Sequence, residues 1–324
     1  MICLGIESTA HTFGVGIVRW NGTILANLKE SVTSIKGGMI PAEVAKHHRE
    51  VANKILHKAL EAAKVSLNNI NLISYSAGPG LPPCLRVGRD EAVRLSKQEN
   101  IPLIGINHCV AHLTIGDLLC KTQHPLYVYV SGVNTQIIAL AGKRLRVFGE
   151  TLDIGLGNAL DKFGRAANLG FPAGAELEKK SEGGTYIELP YAVKGMDVSF
   201  SGIVTKAQRL LKEGTPLSDV CFSMQETCFA MLTEIAERAL SHTEKKTLLL
   251  VGGVAANKRL CNMLQIMCKE RGATFAAVPL EFSGDQGAMI AWQGILENKS
   301  GRVDNPELAD IRPYERTDDV DVTW

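Results

Sequence analysis

The chain has 324 residues, of which 45% are hydrophobic and 21% charged, and its 35 basic side chains balance 34 acidic ones. This composition excludes a disordered chain, and the formal net charge of +1 excludes binding of nucleic acid by bulk positive charge alone. No apolar run reaches the roughly 18 residues of a membrane helix, and Glu7 interrupts the first one. The eight cysteines include no C-x-x-C pair, which favours free thiols over a zinc ribbon. We therefore expect a cytoplasmic protein without a membrane segment.

The first half of the sequence predicts three strands followed by alternating helices and strands. The turn Asn21-Gly22 is typical of a hairpin and joins the second and third strands. The predicted elements are strands over 2–6, 13–20 and 23–28, a helix over 41–64, a strand over 72–76, a helix over 88–98, a strand over 103–106 and a helix from 108. On the first helix, His47, His48 and His57 lie among lysines and are interpreted as surface residues.

The second half of the sequence repeats the order of strands and helices predicted for the first half. The predicted elements are strands over 126–130, 134–140 and 145–150, helices over 158–168, 175–182, 204–211 and 219–241, a strand over 247–251, a helix over 255–269, a strand over 274–278 and a helix over 285–297. This repetition predicts an α/β protein of two related lobes, 1–125 and 126–324, with a ligand cleft between them. We expect the tail after about residue 300 to pack back on the N-terminal lobe.

Two turns rich in small and hydroxylic residues occupy equivalent places in the two halves, Gly5–Thr12 and Val130–Gln136. Such turns expose backbone N–H groups that can hold a phosphate or a carboxylate. One turn of this kind is ordinarily a plain hairpin turn, but the equivalent pair favours a ligand site. Gly252-Gly253 lies between a predicted strand and a helix, where a nucleotide can approach the backbone, although a tight turn also uses glycine there.

His108 and His112 are spaced by one helical turn, so both imidazoles lie on one face of the predicted helix. This spacing allows both to bind one metal ion, but two unrelated histidines, one capping the helix and one packed, explain it equally well. A peptidase helix of the H-E-x-x-H type needs glutamate where Cys109 stands. Asp285, between small residues at a predicted helix start, is either an ordinary N-cap or a further metal ligand.

Together these motifs resemble those of the tRNA threonylcarbamoyladenosine synthases, the catalytic subunits of the archaeal and eukaryotic KEOPS complex. The resemblance runs over essentially the whole chain and is carried by Gly5–Thr12, Gly78–Gly80, Asn107–His112, Tyr129–Gln136, Phe148–Asp153, Gly157–Asp161, Tyr186–Phe200, Val251–Asn257 and Asp285–Ile290. Tyr191–Asp197 and the cysteine between the two histidines favour the archaeal and eukaryotic branch. The family has the two-lobed actin and sugar-kinase-like (ASKHA) fold, which agrees with the repeat.

The resemblance implies a metal-dependent acyltransferase that moves a threonylcarbamoyl group from threonylcarbamoyl-AMP to N6 of the adenosine just 3′ of the tRNA anticodon. By matching position, one Fe²⁺ or Zn²⁺ ion would be held by His108, His112, Tyr129 and Asp285. The substrate-binding residues would be Tyr129, Val130, Ser131, Gly132, Val133, Asp161, Gly174, Glu178 and Asn257. The implied partners are tRNA, threonylcarbamoyl-AMP or ATP and AMP, and other KEOPS subunits, including a small protein kinase and a dimerising subunit.

Three alternative functions stay open on the sequence. A kinase or ATPase of the same fold needs Mg²⁺, which prefers oxygen ligands to imidazoles. A metal-dependent peptidase lacks its helix glutamate. A non-catalytic scaffold of the complex is the third alternative, because Val133 follows Gly132 where the family usually has a second glycine.

Overall fold

The computed structural model describes residues 1–33 and 40–324 and confirms the α/β fold. The elements of the first half are strands β1 (Ile2–Glu7), β2 (Thr12–Arg19), β3 (Ile24–Ser31), β4 (Leu72–Gly78) and β5 (Leu103–Asn107), with helices α1 (Pro41–Ala63), α2 (Pro82–Glu99) and α3 (His108–Cys120). The strands form one sheet in the order β3-β2-β1-β4-β5. In this sheet β2 is antiparallel to both β3 and β1, whereas β1, β4 and β5 run parallel to one another.

The second half contains a matching sheet. Its strands are β6 (Leu126–Val130), β7 (Thr135–Ala141), β8 (Arg144–Glu150), β11 (Thr247–Val251) and β12 (Thr274–Ala277), and a two-stranded ribbon is formed by β9 (Val193–Lys194) and β10 (Asp197–Val198). The helices are α4 (Leu156–Ala166), α5 (Gly174–Lys180), α6 (Ser201–Lys212), α7 (Leu217–Thr243), α8 (Lys258–Glu270), α9 (Leu280–Ser283) and α10 (Gly287–Lys299). The sheet order β12-β11-β6-β7-β8 and its strand directions repeat those of the first sheet. The boundary at residues 125 and 126 stays a prediction.

The central strands of both sheets are apolar because helices cover both of their faces. Every residue of β6 is buried, and Leu248–Val251 of β11 are fully buried. Within the two described ranges, none of the helices combines the length and the apolar character needed to cross a bilayer.

Helix α10 follows the strands of the second sheet in the sequence but packs on the first sheet. Its backbone lies directly on strands β1 and β2, where Gly5 and Gly16 have no side chain to hold it away. A Cβ atom at Gly5 would lie less than 3 Å from the backbone of Ala291, and one at Gly16 less than 3 Å from that of Ala288. This close packing brings the start of α10 beside α3.

The chain after α10 runs along both sheets. On the first sheet, the Asp304 amide donates to the Leu103 carbonyl over 2.8 Å, and the Tyr75 hydroxyl donates to the Asp310 carbonyl over 3.0 Å. On the second sheet, Arg144 pairs with Asp321 over 2.6 Å.

Three local interpretations of the sequence are wrong. His48 is fully buried on α1, and its Nε2–H donates to the Ala10 carbonyl over 2.9 Å, which fixes the first turn. Asp285 is not the N-cap of the last helix, since the side chain of Gln286 accepts from the Met289 amide. His108 does not cap α3 either, because Asn107 does.

Candidate metal centre and substrate cleft

The start of α3 places two histidines at the edge of the first sheet. Asn107 ends β5, and its Oδ1 accepts from the Val110 amide over 3.1 Å, which satisfies a free N–H of the first helical turn. His108 is therefore the first helical residue and His112 follows one turn later. Both side chains are buried, and their ring centroids lie 4.7 Å apart.

Asp285 joins these histidines from the extended segment between α9 and α10. Its Oδ1 lies 3.3 Å from Nε2 of His112 and 3.5 Å from Nε2 of His108. Ligand atoms on a tetrahedral zinc lie about 3.3 Å apart, since each bond is about 2.0–2.2 Å long. One donor atom from each of the three residues lies within 4.8 Å of the other two. The three side chains can therefore share one ion.

Glu7 orients His108 from the other side. This carboxylate is fully buried at the end of β1, and its Oε2 lies 2.8 Å from Nδ1 of His108. Its Oε1 accepts from the amide and the hydroxyl of Thr9. Because a carboxylate only accepts, Nδ1–H of His108 must donate, and Nε2 is the ring nitrogen that faces Asp285. A carboxylate behind the imidazole is the usual support of a metal-binding histidine.

The electrostatics of the cluster follow from burial and from these pairs. Burial lowers the pKa of His108, but the Glu7 carboxylate, more than Asp285, outweighs it and raises the pKa to about 9. Burial lowers the pKa of His112. Burial raises the pKa of Asp285, but the hydrogen bond with His112 and the charge of His108 hold it well below its ordinary value. The Asp285 carboxylate is therefore ionised at neutral pH, the form that can bind a metal ion.

Tyr129 supplies a fourth polar group at the cluster. It lies near the end of β6, fully buried, with its ring centroid 5.3 Å from that of His112. Its hydroxyl has no hydrogen-bond partner in the part of the chain that the structure describes. A buried hydroxyl without a partner costs free energy, about 1–3 kcal/mol. Two imidazoles, a carboxylate and an unsatisfied phenol thus fit a bound metal ion.

The second small-residue turn follows Tyr129 directly and is held by α4. The carbonyls of Ser131 and Gly132 accept from the amides of Gly157 and Asn158 over 3.1 and 2.8 Å. Val133 is 70% exposed, so its side chain does not fill the turn. Behind the turn, Gly252 has a φ of +96°, and a Cβ there would lie less than 3 Å from the backbone of Val130.

The remaining predicted substrate residues lie on the second half of the chain, around α4, α5 and α8. Asp161 Oδ1 accepts from the Ala173 amide over 2.7 Å, and Glu178 Oε1 accepts from the Lys258 amide over 2.9 Å. Burial raises the pKa of Asp161. The second oxygen of each carboxylate has no protein partner among the described residues. Gly174 borders open space, since a Cβ there would have no neighbour within 4 Å.

Asn257 differs from these two acids because both ends of its side-chain amide already form hydrogen bonds within the protein. Its Oδ1 caps α8 through the Leu260 amide, and its Nδ2 donates to Gln225 over 3.1 Å. Three residues that support the site, Glu7, Thr9 and Asn107, were not individually predicted as site residues, although Glu7 and Thr9 lie in the turn Gly5–Thr12. The signal available for Glu7 is an acid at the end of an otherwise apolar strand.

Two matching sheets with a polar cluster where they meet define an actin and sugar-kinase-like protein, and solved structures agree. HypF from T. kodakarensis matches with a TM-score of 0.63 and 15% identity, over 92% of this chain and 48% of that chain. The (R)-2-hydroxyglutaryl-CoA dehydratase component A of Acidaminococcus fermentans matches with a TM-score of 0.58 and 13% identity, over 93% of this chain and 100% of that one. At these identities the likeness shows the fold alone.

The sequence profile of the tRNA N6-adenosine threonylcarbamoyltransferases (TsaD) matches residues 23–292, and the chain belongs to this family. A tRNA N6-adenosine threonylcarbamoyltransferase of Thermococcus sibiricus is 49% identical over the full length of both chains. A probable bifunctional tRNA threonylcarbamoyladenosine biosynthesis protein of Methanobrevibacter smithii is 48% identical over this whole chain, which spans 60% of that relative's length. The predicted family is thus confirmed, and the protein is a transferase of tRNA threonylcarbamoyladenosine modification.

Proposed function

We propose that this chain transfers the threonylcarbamoyl group of threonylcarbamoyl-AMP to N6 of the adenosine just 3′ of the tRNA anticodon, with one Fe²⁺ or Zn²⁺ ion in its site. The observation that supports this most is the cluster of His108, His112 and Asp285 with the unsatisfied phenol of Tyr129 beside it. In a member of this transferase family, such a cluster is the natural place for the reacting carbonyl.

The donor set favours the transferase over a kinase or ATPase. Two imidazoles, a carboxylate and a phenol suit Fe²⁺ or Zn²⁺, whereas Mg²⁺ prefers oxygen ligands and water. When bound, such an ion supplies Lewis-acid polarisation of a carbonyl oxygen. Glu7 contributes by holding the His108 ring in one orientation and one tautomer.

The second half of the chain would bind the adenylate. The turn Ser131–Asn134 places backbone groups next to the cluster, and the free oxygens of Asp161 and Glu178 can accept hydrogen bonds from ribose hydroxyls. In the transfer, the adenine amine attacks the carbamoyl carbon, the new C–N bond forms, one amine proton is lost to water, and the C–O bond to the phosphate breaks to release AMP. The chain would hold the donor and the amine at the distance and orientation that this step needs.

We further propose that the chain works in a KEOPS-type complex with a small protein kinase and a dimerising subunit. Its near-zero net charge supports this, because tight binding of tRNA needs more basic surface than one balanced chain offers. The bifunctional relatives also support it, since this chain spans only 60% of their length and a further unit is joined to the matching part.

Reconstitution tests the activity. The chain, the partner subunits, Fe²⁺ or Zn²⁺ and unmodified tRNA are incubated with threonylcarbamoyl-AMP, and the digested nucleosides are separated by mass. We expect threonylcarbamoyladenosine only when both the chain and the donor are present. Equal product without the chain would contradict the transferase role, and product from threonine, bicarbonate and ATP, with neither threonylcarbamoyl-AMP nor an adenylate-forming enzyme added, would contradict the proposed donor.

Removal of the two cleft acids is expected to separate nucleotide binding from metal binding. Glu178→Ala and Asp161→Ala should each weaken AMP binding by at least about tenfold, because a hydrogen bond to a charged group contributes about 1.5–3 kcal/mol. Metal content should stay at the wild-type level. Calorimetry with AMP and elemental analysis measure the two effects.

Glu176→Ala is the matched control, since Glu176 is exposed on the same helix. Glu178→Gln keeps an oxygen for the Lys258 amide and separates a loss of ribose contact from a shift of α8. Wild-type AMP affinity in both alanine variants would show that these two acids do not bind the nucleotide and have structural roles only.

A further inference from the structure

The segment Arg312–Thr317 lies where the two sheets and the start of α3 meet. On one side it binds the first sheet and on the other side the second sheet. Between these contacts it touches Asn107, the residue that caps the helix of the two histidines. None of these tail residues is among the predicted site residues.

The contact with Asn107 is direct. The Nδ2 group of this amide donates to Glu315 Oε2 over 3.1 Å and to the Arg316 carbonyl over 3.2 Å, while its Oδ1 accepts from the Val110 amide. Asn107 is buried, and the Glu315 side chain is 17% exposed. Glu315 therefore orients the amide whose other end starts α3.

Glu315 is itself anchored to the first sheet. Its Oε1 accepts from Arg312 Nε over 2.7 Å. Arg312 donates its backbone N–H to the Ala77 carbonyl over 2.6 Å and its Nη2 to the Gly105 carbonyl over 2.9 Å. Because these acceptors belong to β4 and β5, the carboxylate has a fixed position relative to that sheet.

The following residues bind the second sheet. Arg316 pairs with Glu150 of β8 over 3.1 Å, and the Thr317 hydroxyl donates to Gln136 of β7 over 3.0 Å. The position of Glu315 thus depends on both sheets, which also carry the groups that face His108 and His112.

A second chain of polar contacts reaches α3 at its second turn. The Thr114 hydroxyl donates to Gln293 over 2.9 Å, and Gln293 donates to Glu297 over 2.8 Å. Glu297 pairs with Arg302, whose Nη2 donates to the same Gly105 carbonyl over 2.8 Å. The helix of the histidines is consequently held at its first and second turns by groups that converge on one carbonyl.

From this arrangement we propose that Glu315 is a positioning residue of the metal centre: it holds the Asn107 amide, and through it the first turn of α3, where His108 meets Asp285. The inference rests on the proposed metal site. Loss of the carboxylate would leave the Nδ2 group of Asn107 held by the Arg316 carbonyl alone, and the orientation of the first turn of α3 would be less well fixed.

Cobalt binding tests the proposal, because the visible absorption of Co²⁺ reports coordination geometry without any turnover. The metal-free full-length chain is titrated with Co²⁺ against a competing chelator, and its thermal midpoint is measured separately. Glu315→Gln is nearly isosteric and keeps one acceptor for Arg312. We expect it to lower Co²⁺ affinity by about tenfold, the lower range for loss of a supporting hydrogen bond, and to change the absorption bands.

Two further variants separate positioning from general stability. Asp321→Asn removes an exposed ion pair of the same tail at Arg144, away from α3, and is expected to leave affinity and spectrum unchanged. In the double variant Asn107→Asp, Glu315→Gln, residue 315 becomes the donor and residue 107 the acceptor of their hydrogen bond. Residue 107 can still cap the helix, so we expect the double variant to regain part of the affinity that Glu315→Gln loses.

The outcomes are distinct. Wild-type protein that binds no Co²⁺ overturns the metal site and this inference together. A wild-type spectrum and affinity in Glu315→Gln overturn the positioning role and leave the metal site standing. Equal losses in Glu315→Gln and Asp321→Asn, or an unfolded Glu315→Gln with no recovery in the double variant, assign the tail a purely structural role.

Discussion

Replacing His108 and His112 together by alanine is expected to abolish metal binding while the chain stays folded. The change removes both imidazoles and leaves only the Asp285 carboxylate and the Tyr129 phenol, too few ligands for a divalent ion in a protein site. Transfer to tRNA should fall to the background of the reaction without the chain.

The same variant should be less stable than the wild type. Glu7 loses its partner at His108, and breaking a buried ion pair costs about 3–5 kcal/mol. The two Thr9 contacts still satisfy one oxygen of Glu7, so we expect a lower unfolding midpoint rather than loss of the fold. Elemental analysis, circular dichroism and thermal unfolding measure these effects.

His57→Ala is the matched control for the histidine variant, because His57 is exposed on α1. It should keep the metal content, the stability and the activity of the wild type. Undiminished metal in the double variant would show that the ion binds elsewhere, and the proposed ligand set would then be wrong.

Gly16→Ala is expected to destabilise the protein and to weaken metal binding, although Gly16 contacts none of the proposed metal-binding residues. A Cβ atom on this strand would lie less than 3 Å from backbone atoms of Gly287 and Ala288, which cannot rotate away. Helix α10 must therefore move off β2, and Asp285 lies just before that helix. Overpacking of this kind costs up to about 3 kcal/mol and occasionally more.

Urea unfolding and Co²⁺ titration measure the two effects of Gly16→Ala. Gly202→Ala is the control, since a Cβ at Gly202 in α6 would have no neighbour within 4 Å. Its stability should lie within about 1 kcal/mol of the wild type, on the side of higher helix propensity. A Gly16→Ala protein with wild-type stability and affinity would show that the α10 contact with β2 does not position Asp285.

The sequence by itself determined most of the elements, the repeat and the histidine pair, but neither the β9–β10 ribbon nor α9. Strands such as β6 and β11 are apolar at almost every position, and helices carry their apolar residues on one face, so local periodicity is enough to predict them. Two copies of one order of elements then predict two matching sheets, which the structure has. The spacing of His108 and His112 is also local, because one helical turn decides which side chains share a face.

Only the tertiary structure decided what surrounds those histidines. Asp285 lies 173 residues after His112, and Glu7 lies 101 residues before His108. No local spacing relates such residues, since the place of Asp285 depends on how α10 packs on glycines of the first sheet and that of Glu7 on the strand order β1-β4-β5. The sequence allowed Asp285 to be either a helix cap or a ligand, and the structure assigns the cap to Gln286. The Glu315 contact with Asn107 exists for the same reason, because packing of the tail against both sheets brings together groups that are 208 residues apart.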